Sequence, residues 1–399
     1  MKKRRGCCAA CWKTNVVKPI VILGSGLAGY TLVRELRKLD RDVAITLVSR
    51  DSADFYSKPM LSNAFALGKN ATTLINTAAA DMSKQLNFTL LPNTEVLSID
   101  LPNKQLQTTA GTIEYGRLVL ALGADPTRLP LKGDAADSVM SVNDLADYAR
   151  FRDALGSAKH ITIIGGGLIG CEFANDLVNA GYSVTVIDPT AYPLSGLLPG
   201  SMPAQAGKQV QASLAGLGVT WRFGAAVQAV NKSPTGYTLS LSDASTLQTD
   251  LVLSAVGLRP RIALARTAGL AVNRGIVVDG QLRSSDTDIF ALGDCAEIEG
   301  RVLSFVMPIM HAARALARLL VGESTRVEFP PMPVVVKTPA HPVVVLPVAH
   351  DAVGEWKLLA EGQGVKLGFF DAQNQLRGFV LSGEFVGLRS EMVKQVSTG

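Results

Sequence analysis

Two strand–glycine–helix signatures, 141 positions apart, constrain this chain more than anything else in it. Pro19 to Gly29 reads PIVILGSGLAG, and His160 to Gly170 reads HITIIGGGLIG. In each, an apolar strand runs into a GxGxxG turn and then into a helix-like stretch, Tyr30 to Leu39 in the first and Cys171 to Ala180 in the second. Each glycine has a task in binding a dinucleotide. The first makes the turn, the second lets backbone touch a pyrophosphate, and the third lets helix pack on strand. The helix N-terminus then faces the negative charge. One copy is weak evidence; two, each behind a strand of the right length, argue strongly against chance turns.

The acid that follows such a loop by about 20 positions sorts the nucleotides. In the second copy, the strand Ser183 to Ile187 ends at Asp188, 18 positions past Gly170. A carboxylate there accepts ribose hydroxyls and repels a 2′-phosphate, and residues 189–198 contain no Arg or Lys. NADH over NADPH is the expectation. Gly165, Gly167, Leu168, Ile169, Gly170 and Asp188 are its predicted binding residues, with Gly257 further along the chain. In the first copy, the strand Ala44 to Val48 ends in Ser49, Arg50 and Asp51, with no acid at the strand end itself.

Composition excludes other classes. At 399 residues the chain exceeds a single core, and 47% hydrophobic with 18% charged residues is globular, not disordered. The longest apolar runs, such as Pro342 to Val348, are strand-sized, so no membrane insertion is expected. The first 18 residues hold six of the 39 basic residues and no acid; the remainder, 33 basic against 34 acidic, makes no case for nucleic acid. Five cysteines, an odd number in a large chain, argue against a disulfide framework and for a cytoplasmic setting. Cys8 and Cys11 have no second pair to close a metal site, so residues 1–16 are expected to be a disordered basic tail and no metal is predicted.

A third signal lies at Ser284 to Asp294, SSDTDIFALGD, where a short strand ends in Gly293 and Asp294. Phe305 to Leu320 then shows helical spacing, with His311 placed in its first turn. With these three signals the chain resembles the pyridine-nucleotide-dependent flavoprotein reductases that carry two dinucleotide domains, over Val17 to Lys394. The fold implied is α/β: two Rossmann-like, three-layer ββα domains for FAD and NAD(P), plus a small C-terminal α+β domain. The expected division is an FAD-binding domain at 17–132 and 259–326, an NAD-binding domain at 133–258 and the C-terminal domain at 327–399. The resemblance implies FAD contacts from Gly24, Ser25, Gly26, Leu27, Ala28, Gly29, Ser49, Arg50, Lys58, Val96, Asp294, Val306 and Lys337. It also implies that Lys58 lies near flavin N5 and pairs with Glu172, the two forming the catalytic set.

Members of this family that reduce disulfides carry a redox cysteine pair early in the FAD domain. Here that region reads YSKPMLS from Tyr56 to Ser62, with no cysteine between Cys11 and Cys171. Electrons must therefore leave for an external acceptor. Cys171 and Cys295 lack vicinal thiols and are expected to pack as small residues. The stretches SKPML at Ser57 to Leu61, GGGLIGCEFANDL at Gly165 to Leu177, VGLRPR at Val256 to Arg261 and PVVVKTPAHP at Pro333 to Pro342 resemble the branch that reduces rubredoxin. AGLAVNRGIVVD at Ala268 to Asp279 and ALGDCAE at Ala291 to Glu297 do the same. That branch implies rubredoxin as partner and supply of an alkane hydroxylase. The alternatives are reduction of a ferredoxin serving a cytochrome P450 or a dioxygenase, and an NADH-sensing flavoprotein with little turnover. The sequence carries no signal for a particular oligomeric state.

Overall fold

The computed structural model describes residues 18–349 and 351–397. The Cys8–Cys11 segment and the expected disordered tail lie outside them.

Ile20–Leu23 is apolar throughout and buried throughout. Such a strand suits the centre of a parallel sheet covered on both faces. It pairs in parallel with Ile45–Val48 on one side and Arg117–Leu120 on the other. Thr89–Leu91 and Ile289–Ala291 add the two outer strands, also parallel. The last of these arrives from far along the chain and brings Gly293 and Asp294 to the same sheet end as the first glycine loop. The second copy repeats the plan. His160–Ile164 sits between Ser183–Asp188 and Leu251–Ser254, with Val219–Phe223 at the edge, all parallel. A three-stranded antiparallel meander accompanies each sheet, Val96–Asp100 to Gly111–Glu114 in one and Val227–Ser233 to Thr246–Thr249 in the other.

Both helices after the glycine loops begin earlier than their side-chain pattern suggests, at Leu27–Leu39 and Leu168–Asn179. Gly26 and Gly167 are the N-caps, so the third glycine of each motif lies inside the first helical turn. The helix Val306–Leu320 packs its apolar face into the first core beside Leu27–Leu39. It starts at Val306, which places His311 in the second turn rather than the first.

The two stretches that cross between sheets pair with each other. Ala124–Pro126 and Leu258–Pro260 form an antiparallel ribbon, with Asp125 opposite Arg259. Arg261 ties the ribbon by an ion pair to Asp125 (2.6 Å) and a bond to the Leu122 carbonyl (2.9 Å). The C-terminal part is a five-stranded antiparallel sheet, from Val334–Val336 at one edge to Glu355–Glu361 at the other, closed by the helix Arg389–Gln395. One face of this sheet shares a core with the second parallel sheet through Val336, Val343, Leu367 and Val380.

Candidate functional site

The two glycine loops are built on the same plan. Gly24 and Gly165 have φ of +117° and +108°, a region that side chains rarely adopt. A Cβ on Gly29 would stand 1.9 Å from the Gly24 carbonyl oxygen, and one on Gly170 would stand 1.9 Å from that of Gly165. Only hydrogen fits there. Around a Cβ on Gly26 or Gly167, by contrast, nothing lies within 4 Å. The middle glycines therefore leave a cradle that protein atoms do not use, at a helix N-terminus that favours an anion.

Both cradles open into one cleft of about 1950 Å³. Single-ligand pockets hold roughly 300–1,000 Å³, so the space suits two dinucleotides. All predicted site residues line the cleft except Gly29 and Gly170, the two whose task is helix packing. The donor set fits the expected cofactors on a further count. Asn143 is buried in the cleft wall with its Nδ2 donating to the Ala124 carbonyl (3.0 Å), and its Oδ1 has no partner among the described residues. A buried acceptor left open at a ligand site is explained by a ligand donor.

At the second loop, Asp188 Oδ2 accepts from Gly166 N (2.6 Å), and Oδ1 accepts from Thr190 N (2.8 Å) and Thr190 Oγ1 (2.6 Å). The carboxylate is thus fixed beside the cradle, with one acceptor position left on Oδ2 for a hydroxyl. At the first loop, Asp51 curls back so that Ser49 Oγ donates to its Oδ1 (2.6 Å), while Ser25 Oγ lies 2.7 Å from Ser49 Oγ.

The expected ion pair between Lys58 and Glu172 does not form. Glu172 is fully buried on the helix Leu168–Asn179, and Lys337 Nζ lies 3.0 Å from its Oε2. Lys337 N donates to Oε1 (2.8 Å) and Ser62 Oγ to Oε2 (2.5 Å), so both oxygens are engaged. Lys337 directly follows the strand Val334–Val336, which delivers its amide and its ammonium to the same carboxylate. Its other donors go to Asn63 Oδ1 (2.6 Å) and the Pro59 carbonyl. Lys58, at the start of the short helix Lys58–Asn63, makes no ion pair within 4 Å among the described residues and shares the cleft lining with Asp294. Burial pushes the Lys58 ammonium below the usual lysine range, with the Asp294 carboxylate opposing that and Arg261 adding to it. Burial likewise raises Asp294, against the pull of Lys58 and Arg261.

The sequence reading missed Asn175 and Asp176, which lie with Glu172 on one face of their helix and are 1% exposed each. Asn175 Oδ1 accepts from Ala340 N (3.1 Å). The available signal was a polar stripe at i, i+3, i+4 on an otherwise apolar helix. Among the described residues, no group of three or more His, Cys, Asp or Glu is placed to hold a metal, and no helix is long and apolar enough to cross a membrane.

Comparisons with known proteins agree with this geometry. Residues 18–317 match the family model described as pyridine nucleotide-disulphide oxidoreductase, and residues 326–396 match one described as rubredoxin binding C-terminal domain. A rubredoxin-NAD(+) reductase of Alcanivorax borkumensis is 47% identical, covering 95% of this chain and 98% of that one. One from Acinetobacter baylyi is 44% identical over 92% of this chain and 95% of its own length. The ferredoxin reductase for a CYP199A2 system from Rhodopseudomonas palustris superposes with a TM-score of 0.85, covering 96% of each chain at 24% identity. That last likeness carries the fold and not the acceptor.

Proposed function

The chain belongs to the pyridine nucleotide-disulphide oxidoreductase family, and from that premise we infer that it is an FAD-dependent NADH:rubredoxin oxidoreductase. The observation that carries the acceptor is the match of residues 326–396 to a rubredoxin-binding domain, in a chain aligned almost end to end with two rubredoxin-NAD(+) reductases. The sequence has no cysteine between Cys11 and Cys171, and so no redox pair in the stretch around Lys58, which fits an external one-electron acceptor. Bound FAD supplies the conversion between the two-electron chemistry of NADH and the one-electron chemistry of an iron–sulfur carrier.

The residues of this chain divide the remaining work. Gly24 to Ala28 and Asp294 hold the FAD, with Ser49, Arg50, Val96 and Val306 along its length and Gly29 letting the helix pack close. Gly165, Gly167 to Ile169 and Gly257 hold NADH, Gly170 lets the second helix pack close, and Asp188 selects NADH over NADPH through its ribose. Lys58 places a positive charge where reduction puts negative charge on the flavin, and partial burial strengthens that charge's effect. Glu172 and Lys337 join the nucleotide helix to the C-terminal sheet, which keeps the walls of the cleft in register. The division of the chain at 17–132, 133–258, 259–326 and 327–399 belongs to the same reading, as do a cytoplasmic setting and service to an alkane hydroxylase. Purified protein reconstituted with FAD is expected to be yellow and to bleach on anaerobic addition of NADH. Protein that stays colourless after reconstitution overturns the reading.

A further inference from the structure

The segment that carries Lys58 belongs by sequence to the first glycine-loop unit, yet it is fastened to the second. Asp176, on the nucleotide helix Leu168–Asn179, takes Phe65 N on Oδ2 (2.9 Å) and Ala66 N on Oδ1 (2.7 Å). Burial pushes this carboxyl above its usual range, while the two amides, Lys337 and Arg152 pull it back. A buried carboxylate is costly unless such donors meet it. Nothing in the proposed chemistry uses Asp176, so its cost answers to this junction.

The Phe65 side chain enters a socket of the same unit. Its ring meets Tyr148, Phe151 and Tyr182 edge to face, with centroids 5.8, 6.3 and 6.3 Å away. The Arg152 guanidinium stands over it at 4.6 Å. Edge-to-face pairs and cation–π contacts each add to the area that the ring buries. Tyr148 Oη and Arg152 Nη1 then both donate to the Lys69 carbonyl, at 3.1 and 2.6 Å. Upstream, Ser62 donates to Glu172 on the same helix. The short helix that begins at Lys58 is thus tied at Ser62 to Leu168–Asn179, and the chain just past it, Phe65 to Lys69, to Leu145–Leu155 and Leu168–Asn179 of the nucleotide-binding unit.

We propose that Asp176 and Phe65 are positioning residues that fasten the Lys58 segment to the nucleotide helix, so that any displacement of the NADH-binding unit carries Lys58 with it. Lys58 then keeps its register with the nicotinamide rather than with the FAD-side sheet alone. This rests on the role given to Lys58 above; the fastening itself does not.

Asp176→Asn and Phe65→Leu test it in the FAD-loaded enzyme. An amide in place of the carboxylate offers one acceptor where two are needed. Backbone hydrogen exchange is expected to rise about 10–10²-fold at Phe65 and Ala66 and to rise also through Lys58–Asn63, with or without FAD. A misplacement near 1 Å costs up to about 10² in rate, so the limiting rate of flavin reduction at saturating NADH is expected to fall about 10- to 10²-fold. The NADH dissociation constant stays within about threefold, because the glycine loop is untouched. Faster exchange confined to Phe65 and Ala66, or unchanged exchange, overturns the proposal. If Asp176→Asn does not fold, Phe65→Leu decides by the same readouts. If Lys58→Ala itself is reduced at the wild-type rate, the role of Lys58 falls, and exchange alone decides the fastening.

Discussion

Replacing the middle glycine of each loop separates the two nucleotide sites. Gly26 has φ −69° and ψ −173°, and Gly167 has φ −74° and ψ −169°, conformations open to alanine. Neither added Cβ meets any atom within 4 Å. Alanine is a poorer N-cap than glycine but loses less entropy on folding. The two effects oppose, so stability should change by no more than about 1 kcal/mol. The ligand suffers instead, because the methyl occupies the cradle where a pyrophosphate meets the helix N-terminus. Losing one or two charge-assisted bonds there costs about 3–4 kcal/mol, or roughly 10²–10³-fold in affinity. Gly26→Ala should therefore purify with little FAD and regain it only at high concentration. Gly167→Ala should purify yellow and need 10²–10³-fold more NADH for the same extent of flavin reduction. Gly29→Ala is the contrasting control: its Cβ would stand 1.9 Å from a backbone oxygen, so it should fail to fold. Flavin content by absorbance and an anaerobic NADH titration read all three. A Gly167→Ala protein that loses FAD, or a Gly26→Ala protein that keeps it at wild-type affinity, refutes the assignment of the loops.

Other perturbations have equally definite outcomes. Asp188→Ala should narrow the preference for NADH over NADPH by about 1–3 kcal/mol, 5- to 150-fold in the ratio of kcat/KM; an unchanged ratio removes Asp188 from nucleotide selection. Lys58→Ala should slow flavin reduction by roughly 10²–10³ in stopped flow while FAD stays bound, and a wild-type rate would take Lys58 out of the mechanism. Asp250 accepts from Lys159 N (2.7 Å) and His160 N (2.9 Å), and these amides hold its carboxyl below the usual range. A depressed folded pKa stabilises the protein above the unfolded value of about 3.9 and stops doing so as pH falls through the folded value. Asp250→Asn should thus melt below wild type at pH 7, with the gap closing below about pH 4; a gap constant to pH 2 contradicts this.

What the sequence made legible was local. The glycine loops, the strands that enter them and Asp188 at its strand end are set by contiguous residues whose spacing has a steric reason, and the 1.9 Å clashes at Gly29 and Gly170 supply it. Helix starts were read late because side-chain pattern begins after the glycines, whereas backbone bonding begins at the N-cap. The partner of Glu172 was not legible. Lys337 lies 165 positions away, and its approach depends on how the C-terminal sheet packs on the nucleotide helix, which no local spacing encodes. The meeting of Lys58 and Asp294 in one cleft is of the same kind, since Asp294 follows a strand that joins the first sheet from beyond the second unit in sequence. Phe65 carries no local signal in the sequence, and only its socket distinguishes it.

Electrons from NADH leave this protein for rubredoxin. NADH oxidation by the purified FAD-loaded enzyme, measured under identical conditions with rubredoxin, ferredoxin, a disulfide and oxygen as sole acceptors, tests it most directly. The highest kcat/KM is expected with rubredoxin, and background rates with the disulfide. Rubredoxin reduction no faster than oxygen reduction, or a faster reaction with ferredoxin, would contradict it.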